Sequence, residues 1–125
     1  PQFDQYMGGM FETICHQYVK FYGKEILDSS ARKTGKIWTG DYDIDVAGTL
    51  LNKEEFYGEC KWWKDPVGIN VLDDLEENIT KTDYGKKSAR KHRLLFSKSG
   101  FTEELMEKEK TDDCLHLLSP EELIN

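Results

Sequence analysis

The feature that most constrains this chain is the segment YDIDVAGTLLNKEEFYGECKWW, residues 42–63. Two runs, 42–51 and 55–63, carry β-branched, aromatic and small residues on either side of a polar tip at Asn52-Lys53-Glu54. Side chains in such runs alternate between two faces, so the pattern predicts a pair of strands joined as a hairpin. On the first strand, Asp43, Asp45 and Ala47 share one face, while Ile44 and Val46 turn to the core. On the second, Tyr57, Glu59, Lys61 and Trp63 share a face, and Gly58, Cys60 and Trp62 the other. Pairing then brings Asp45 across from or diagonal to Glu59.

The flanking sequence supplies the layers that cover this sheet. Phe3, Met7, Met10, Phe11, Ile14, Tyr18 and Tyr22 recur at spacings of three and four and predict a helix over 3–22. The polar stretch 23–35 reads as a connection or a weak strand, followed by a short strand at Lys36–Gly40. After the hairpin, DPVG (65–68) is a stop. A helix follows over 69–80, with Leu72, Leu75 and Ile79 on one stripe. HRLLFS (92–97) reads as a strand, a helix starts near Thr102 as its N-cap, and CLHLL (114–118) is a last strand. Ser119, Pro120 and Glu122 form a capping box for one more helix. The order αβββαβαβ(α) predicts an α/β fold: a three-layer αβα sandwich with a mixed central sheet. The 125 residues suit one domain spanning 1–125.

Net charge is −7, which argues against a general nucleic-acid binder, yet the charge is uneven. Residues 81–98 carry seven basic side chains and one acid, so that window is +6 and the rest of the chain −13. Lys86, Lys87, Arg90, Lys91 and Arg93 within it are candidate nucleic-acid contacts, with Lys33 and Lys36 adding to the surface. The bland reading of the same run is a solvated surface. Cys15, Cys60 and Cys114 show no metal-binding spacing with each other or with His16, His92 and His116. They read as free thiols in a reducing cytoplasm. No segment resembles a membrane span.

The chemistry suggested by Asp45, Glu59 and Lys61 follows from their convergence. Two carboxylates at one place repel, and a divalent cation removes the conflict. Carboxylate oxygens with the main-chain carbonyl of Cys60 suit Mg²⁺ or Mn²⁺. Lys61 would orient the attacking water and stabilise charge on a phosphorane-like transition state. The bland reading is a surface ion pair between Glu59 and Lys61. Asp43 is either a supporting acid or a solvated one. Of the tryptophans, Trp63 is the candidate for base stacking, one of Trp62 and Trp63 is core, and Trp38 reads as packing. His92 reads as a surface histidine.

These residues resemble the PD-(D/E)xK nuclease superfamily: Asp45, an interval of 14 residues, then Glu59-Cys60-Lys61. The resemblance implies a restriction-endonuclease-like core, αβββαβ. It also implies a Glu on the first helix that reaches the metal; GGMFETI (8–14) offers Glu12, at the edge of the apolar stripe. The proline of the superfamily's name is absent, since Tyr42-Asp43-Ile44 precedes Asp45. FDQYMGGMFETI, WTGDYDIDVAG, YGECKWWKDPVG and FSKSGFTEEL resemble, more narrowly, the C-terminal domain of unknown function (family 234) of archaeal and other prokaryotic AAA-type ATPases. That resemblance implies a fragment normally joined to an N-terminal P-loop ATPase domain. No GxxxxGK[ST] occurs in this chain.

Three functions compete at this point. The first is a metal-dependent DNA endonuclease, whose cutting of both strands would favour a homodimer. The second is a catalytically inactive nucleic-acid-binding or interaction module of the ATPase. The third is a regulatory or oligomerisation domain.

Overall fold

A computed structural model describes residues 2–119, with side chains from Met7 to Ser119. The elements are α1 (Gln2–Leu27), β1 (Ala31–Trp38), β2 (Asp43–Leu50), β3 (Glu55–Lys61), α2 (Ile69–Lys81), β4 (Lys91–Ser97), α3 (Glu103–Lys110) and β5 (Leu115–Leu118). The expected capping box runs into residues 120–123, outside the described residues.

The sheet order is β1-β2-β3-β4-β5. β1, β2 and β3 pair antiparallel, as a hairpin predicts; β3, β4 and β5 are parallel. The two parallel connections run through α2 and α3. Both helices lie on one face, where Ile44, Ala47, Tyr57, Leu72, Leu75, Leu95 and Leu105 form a core. α1 covers the opposite face, burying Phe11, Cys15, Val19 and Leu27 against Val46, Phe56, Leu94 and Phe96. This is the mixed α/β sandwich expected.

Several expectations are corrected in detail. α1 runs to Leu27, five residues past the predicted end, because Leu27 is buried and Asp28 closes the helix at positive φ (61°), its N–H on the Lys24 carbonyl (3.0 Å). The buried stripe is Phe11, Cys15, Val19 and Leu27, while Met10, Ile14 and Tyr22 are exposed. β1 begins at Ala31, not Lys36. It is an edge strand with one solvated side, so its composition reads as loop. Trp38 does not pack; it is 80% exposed. His92 is buried, with Nδ1 3.1 Å from His116 Nε2 and Nε2 2.8 Å from Glu54 Oε1.

The most consequential difference lies in β2. Gly35 pairs with Ala47 but Ile37 pairs with Ile44, so three steps along β2 answer two along β1. The extra residue breaks the alternation. Ile44 and Ala47 both reach the α2-side core, whereas Val46 reaches the α1-side core. The expected shared face of Ile44 and Val46 is therefore wrong, and Asp45 sits within the irregularity.

Candidate functional site

β2 and β3 keep a constant register up to Val46 opposite Gly58. One further step sets Asp45 beside Glu59. Both are nearly closed off from solvent, at 8% and 7% exposure. Burial, a hydrogen bond with Asp45 and the Asp45 charge push the Glu59 carboxyl up to about 9, against a smaller opposing pull from Lys61. Glu59 therefore keeps its proton at neutral pH, hydrogen-bonded to Asp45. The other Asp45 bonds fix its place: Oδ2 accepts the Cys60 N–H (2.9 Å), and its main-chain carbonyl lies 2.6 Å from His16 Nε2.

Glu55, four residues before Glu59, shows what a structural carboxylate looks like on the same strand. It is 3% exposed, yet it accepts from the Tyr57 hydroxyl (2.8 Å) and the Lys86 N–H (2.7 Å) and pairs with Lys91 (3.0 Å). Burial pushes its pKa up, but those donors outweigh it and hold Glu55 below the ordinary value. Glu59 has no such complement; its partner is another acid. That contrast marks Glu59 as the carboxyl that fits a function and not the fold.

Lys36 was expected only on the basic surface, yet its ammonium sits among the acids. It lies 3.1 Å from Glu12, 3.7 Å from Asp43 and 3.9 Å from Asp45. Burial lowers its pKa, but the Glu12 hydrogen bond and the three carboxylate charges overcome this and raise it. Glu12 thus comes to the site through Lys36, and Asp43 is joined to it the same way. His16, one turn after Glu12 on α1, faces the same place. Its i+4 spacing from Glu12 was the signal in the sequence that could have identified it. The Lys61 ammonium lies 4.9 Å from the Trp63 ring centroid. Cys60, whose thiol is pushed up by burial and by neighbouring Cys15, turns its side chain to the α1 core.

The donor set fits a hard divalent cation. The Lys61 carbonyl accepts from Lys98 N on the β4 side (3.1 Å), so the Cys60 carbonyl, one residue earlier, leaves the strand toward β2 and Asp45. Asp45, Glu59 and that carbonyl are all oxygen donors. Among the described residues, no three His, Cys, Asp or Glu side chains form a ready metal cage. A cation held here would rest on two carboxylates and a carbonyl and keep several waters, the mode Mg²⁺ favours.

The basic segment falls elsewhere. β3 and β4 align Glu55 with Lys91, Tyr57 with Arg93 and Lys61 with Ser97, so the basic segment stands toward the far end of the strands. At ~3.3 Å per residue, Arg93 is ~13 Å along the strand from Lys61 and Lys91 ~20 Å, with Lys86, Lys87 and Arg90 preceding Lys91. Three of the five are engaged internally: Arg90 with Glu54, Lys91 with Glu55, and Arg93 with Glu76 and Asp112. Lys86 and Lys87 are exposed. Lys98 is the member of the run that reaches the end bearing Lys61.

Fold and geometry together define a mixed-sheet α/β domain with a buried pair of acids on its antiparallel hairpin. The chain belongs to a family described as archaeal and bacterial proteins of unknown function, DUF234, whose model matches residues 1–81. No curated protein matches it. Among solved structures, it is similar to the ATP-dependent Type ISP restriction-modification enzyme LlaBIII bound to DNA (TM-score 0.65, 14% identity), covering 96% of this chain and 8% of that one. It is also similar to a repair endonuclease from Pyrococcus abyssi (TM-score 0.49, 14% identity), over 82% of this chain and 44% of the other. The chain therefore spans less than half the length of either. No helix among the described residues is long and apolar enough to cross a membrane.

Proposed function

We propose that this domain is a PD-(D/E)xK endonuclease that hydrolyses DNA phosphodiesters with Mg²⁺ or Mn²⁺. The observation that carries the reading is the buried, hydrogen-bonded Asp45–Glu59 pair, with Lys61 on the same strand as Glu59. Asp45, Glu59 and the Cys60 carbonyl would hold the cation. Glu12 contributes indirectly, by keeping Lys36 against Asp45 or releasing it. A bound Mg²⁺ or Mn²⁺ supplies Lewis acidity and lowers the pKa of a water. Lys61 orients the attacking water by hydrogen bonding and offsets charge on the non-bridging oxygens. Occurrence of the same fold in a restriction-modification enzyme bound to DNA supports DNA as the substrate class. In the full protein the domain follows an N-terminal P-loop ATPase, works in the cytoplasm and pairs as a homodimer to cut both strands.

The test is calorimetric titration of Mn²⁺ into wild type and Asp45→Ala, then incubation with supercoiled plasmid. Binding that needs Asp45, with cleavage reduced at least ~100-fold in Lys61→Ala and its thermal melt unchanged, supports the reading. Absence of binding at millimolar Mn²⁺ would hand the fold to the inactive-module reading.

A further inference from the structure

We propose that Trp63 forms a stacking seat for an unpaired base of single-stranded DNA, flanked by Lys61, Lys64 and Lys98. This rests on the nuclease reading for its purpose but not for its evidence. Trp63 lies two residues past the end of β3 and is 43% exposed, unlike Trp62, which packs on Phe11. Its backbone is anchored: the Ser99 hydroxyl donates to the Trp63 carbonyl (2.6 Å), and Lys98 N donates to the Lys61 carbonyl (3.1 Å). The backbone that carries the ring is thus held in place before any ligand arrives, which lowers the entropy lost on binding.

Charge around the ring points to a phosphate-bearing ligand. Lys61 Nζ lies 4.9 Å from the Trp63 centroid, and Lys98 Nζ lies 4.7 Å from that of Trp62. Trp62, Trp63, Lys64, Asp65 and Lys98 line an open depression of about 350 Å³. Lys61, Lys64 and Lys98 around the two rings, against Asp65 as the one acid lining the depression among the described residues, make its rim positive. Trp38, more exposed still, has no cation over its ring among the described residues. An aromatic face beside lysines suits a base on the ring with its phosphate on the ammonium groups. A paired base is stacked within its duplex and offers no free face, so the seat selects an unpaired nucleotide. Lys61 then joins the seat to Glu59, placing the flanking phosphate at the carboxyl pair.

The test separates binding from cleavage. A fluorescein-labelled single-stranded oligonucleotide of mixed sequence is titrated in EDTA and followed by anisotropy, beside a blunt duplex of the same sequence. The expected result is tighter binding of the single strand, about 10-fold weaker binding by Trp63→Ala, and recovery of most of that loss in Trp63→Phe. Equal binding by Trp63→Ala and wild type, no single-strand binding, or a duplex bound as tightly as the single strand overturns the seat. Plasmid cleavage with Mn²⁺ is scored separately. Trp63-dependent binding without cleavage retires the nuclease reading and keeps the seat; cleavage with Trp63-independent binding does the reverse.

Discussion

Lys36 is the residue whose role was least legible. In the sequence it is one lysine on a polar edge strand, and nothing local distinguishes it from Lys33. Its long side chain lets it reach acids on α1 and β2, which only the assembled sheet reveals. Glu59 and Lys61 were legible because both lie on one regular strand, where period two holds. Asp45 was legible as a residue but not in its setting, since the register shift that places it leaves no mark in composition. The position of Lys36 yields a prediction. Its ammonium supplies the positive charge that the carboxylates need in the metal-free protein, so it competes with any entering cation. Lys36→Met keeps the stem and removes the charge. Mn²⁺ affinity by calorimetry is expected to rise, by about tenfold for a competing interaction of about 1.4 kcal/mol. Unchanged or weaker affinity would mean that the ammonium supports the site and does not compete with the cation.

At the scale of elements, strongly periodic segments were the readable ones. α2 and α3 lie where their apolar stripes and the Thr102 cap place them; the Leu105 N–H donates to Thr102 Oγ1 at 3.3 Å. The start of β1 and the end of α1 were not readable, because an edge strand lacks a second buried face to enforce a pattern. The β1–β2 pairing nevertheless has a requirement that sequence alone hides. A Cβ on Gly48 would lie 1.8 Å from the Lys33 carbonyl oxygen and 2.5 Å from the Phe56 ring. A backbone oxygen cannot swing aside as a side chain does. Gly48→Ala should therefore force β1 off β2 and cost about 3 kcal/mol or more, read as a lower midpoint in urea unfolding. Gly35→Ala on the same sheet edge meets nothing within 4 Å and is expected within about 1 kcal/mol of wild type. Equal effects from the two substitutions would show that the approach of Lys33 to Gly48 does not govern the pairing.

For the whole molecule, stability against pH joins the two ends of the sheet. At the far end, burial and then the charges of His92, Arg93 and Arg90 lower His116 to about 4, with Asp112 opposing. Its folded pKa is below the ordinary 6.5, so its contribution is complete above 6.5 and is lost as pH falls toward 4. Glu54, Glu55 and Asp112, also lowered, act in the same direction, each losing its contribution in acid. Glu59 acts oppositely. Its folded pKa of about 9 lies above the ordinary 4.5, so its contribution is complete below 4.5 and is lost as pH rises toward 9. Each group can give a slope of at most about 1.4 kcal/mol per pH unit. Between 4.5 and 6.5 the slopes of His116 and Glu59 oppose each other; above 6.5 Glu59 alone of these groups still titrates. The metal-free protein is therefore expected to be most stable near the middle of that range and to weaken toward pH 9. Thermal melts in EDTA across pH 4–9 check this with two variants. Glu59→Gln should remove the alkaline decline, and His116→Gln should remove part of the acid one. A wild-type decline that Glu59→Gln leaves in place would mean that Glu59 does not hold its proton into the neutral range. Under the nuclease reading, saturating Mn²⁺ should cancel the same alkaline decline, because a ligand that binds the ionised pair only in the folded state gains affinity as Glu59 loses its proton.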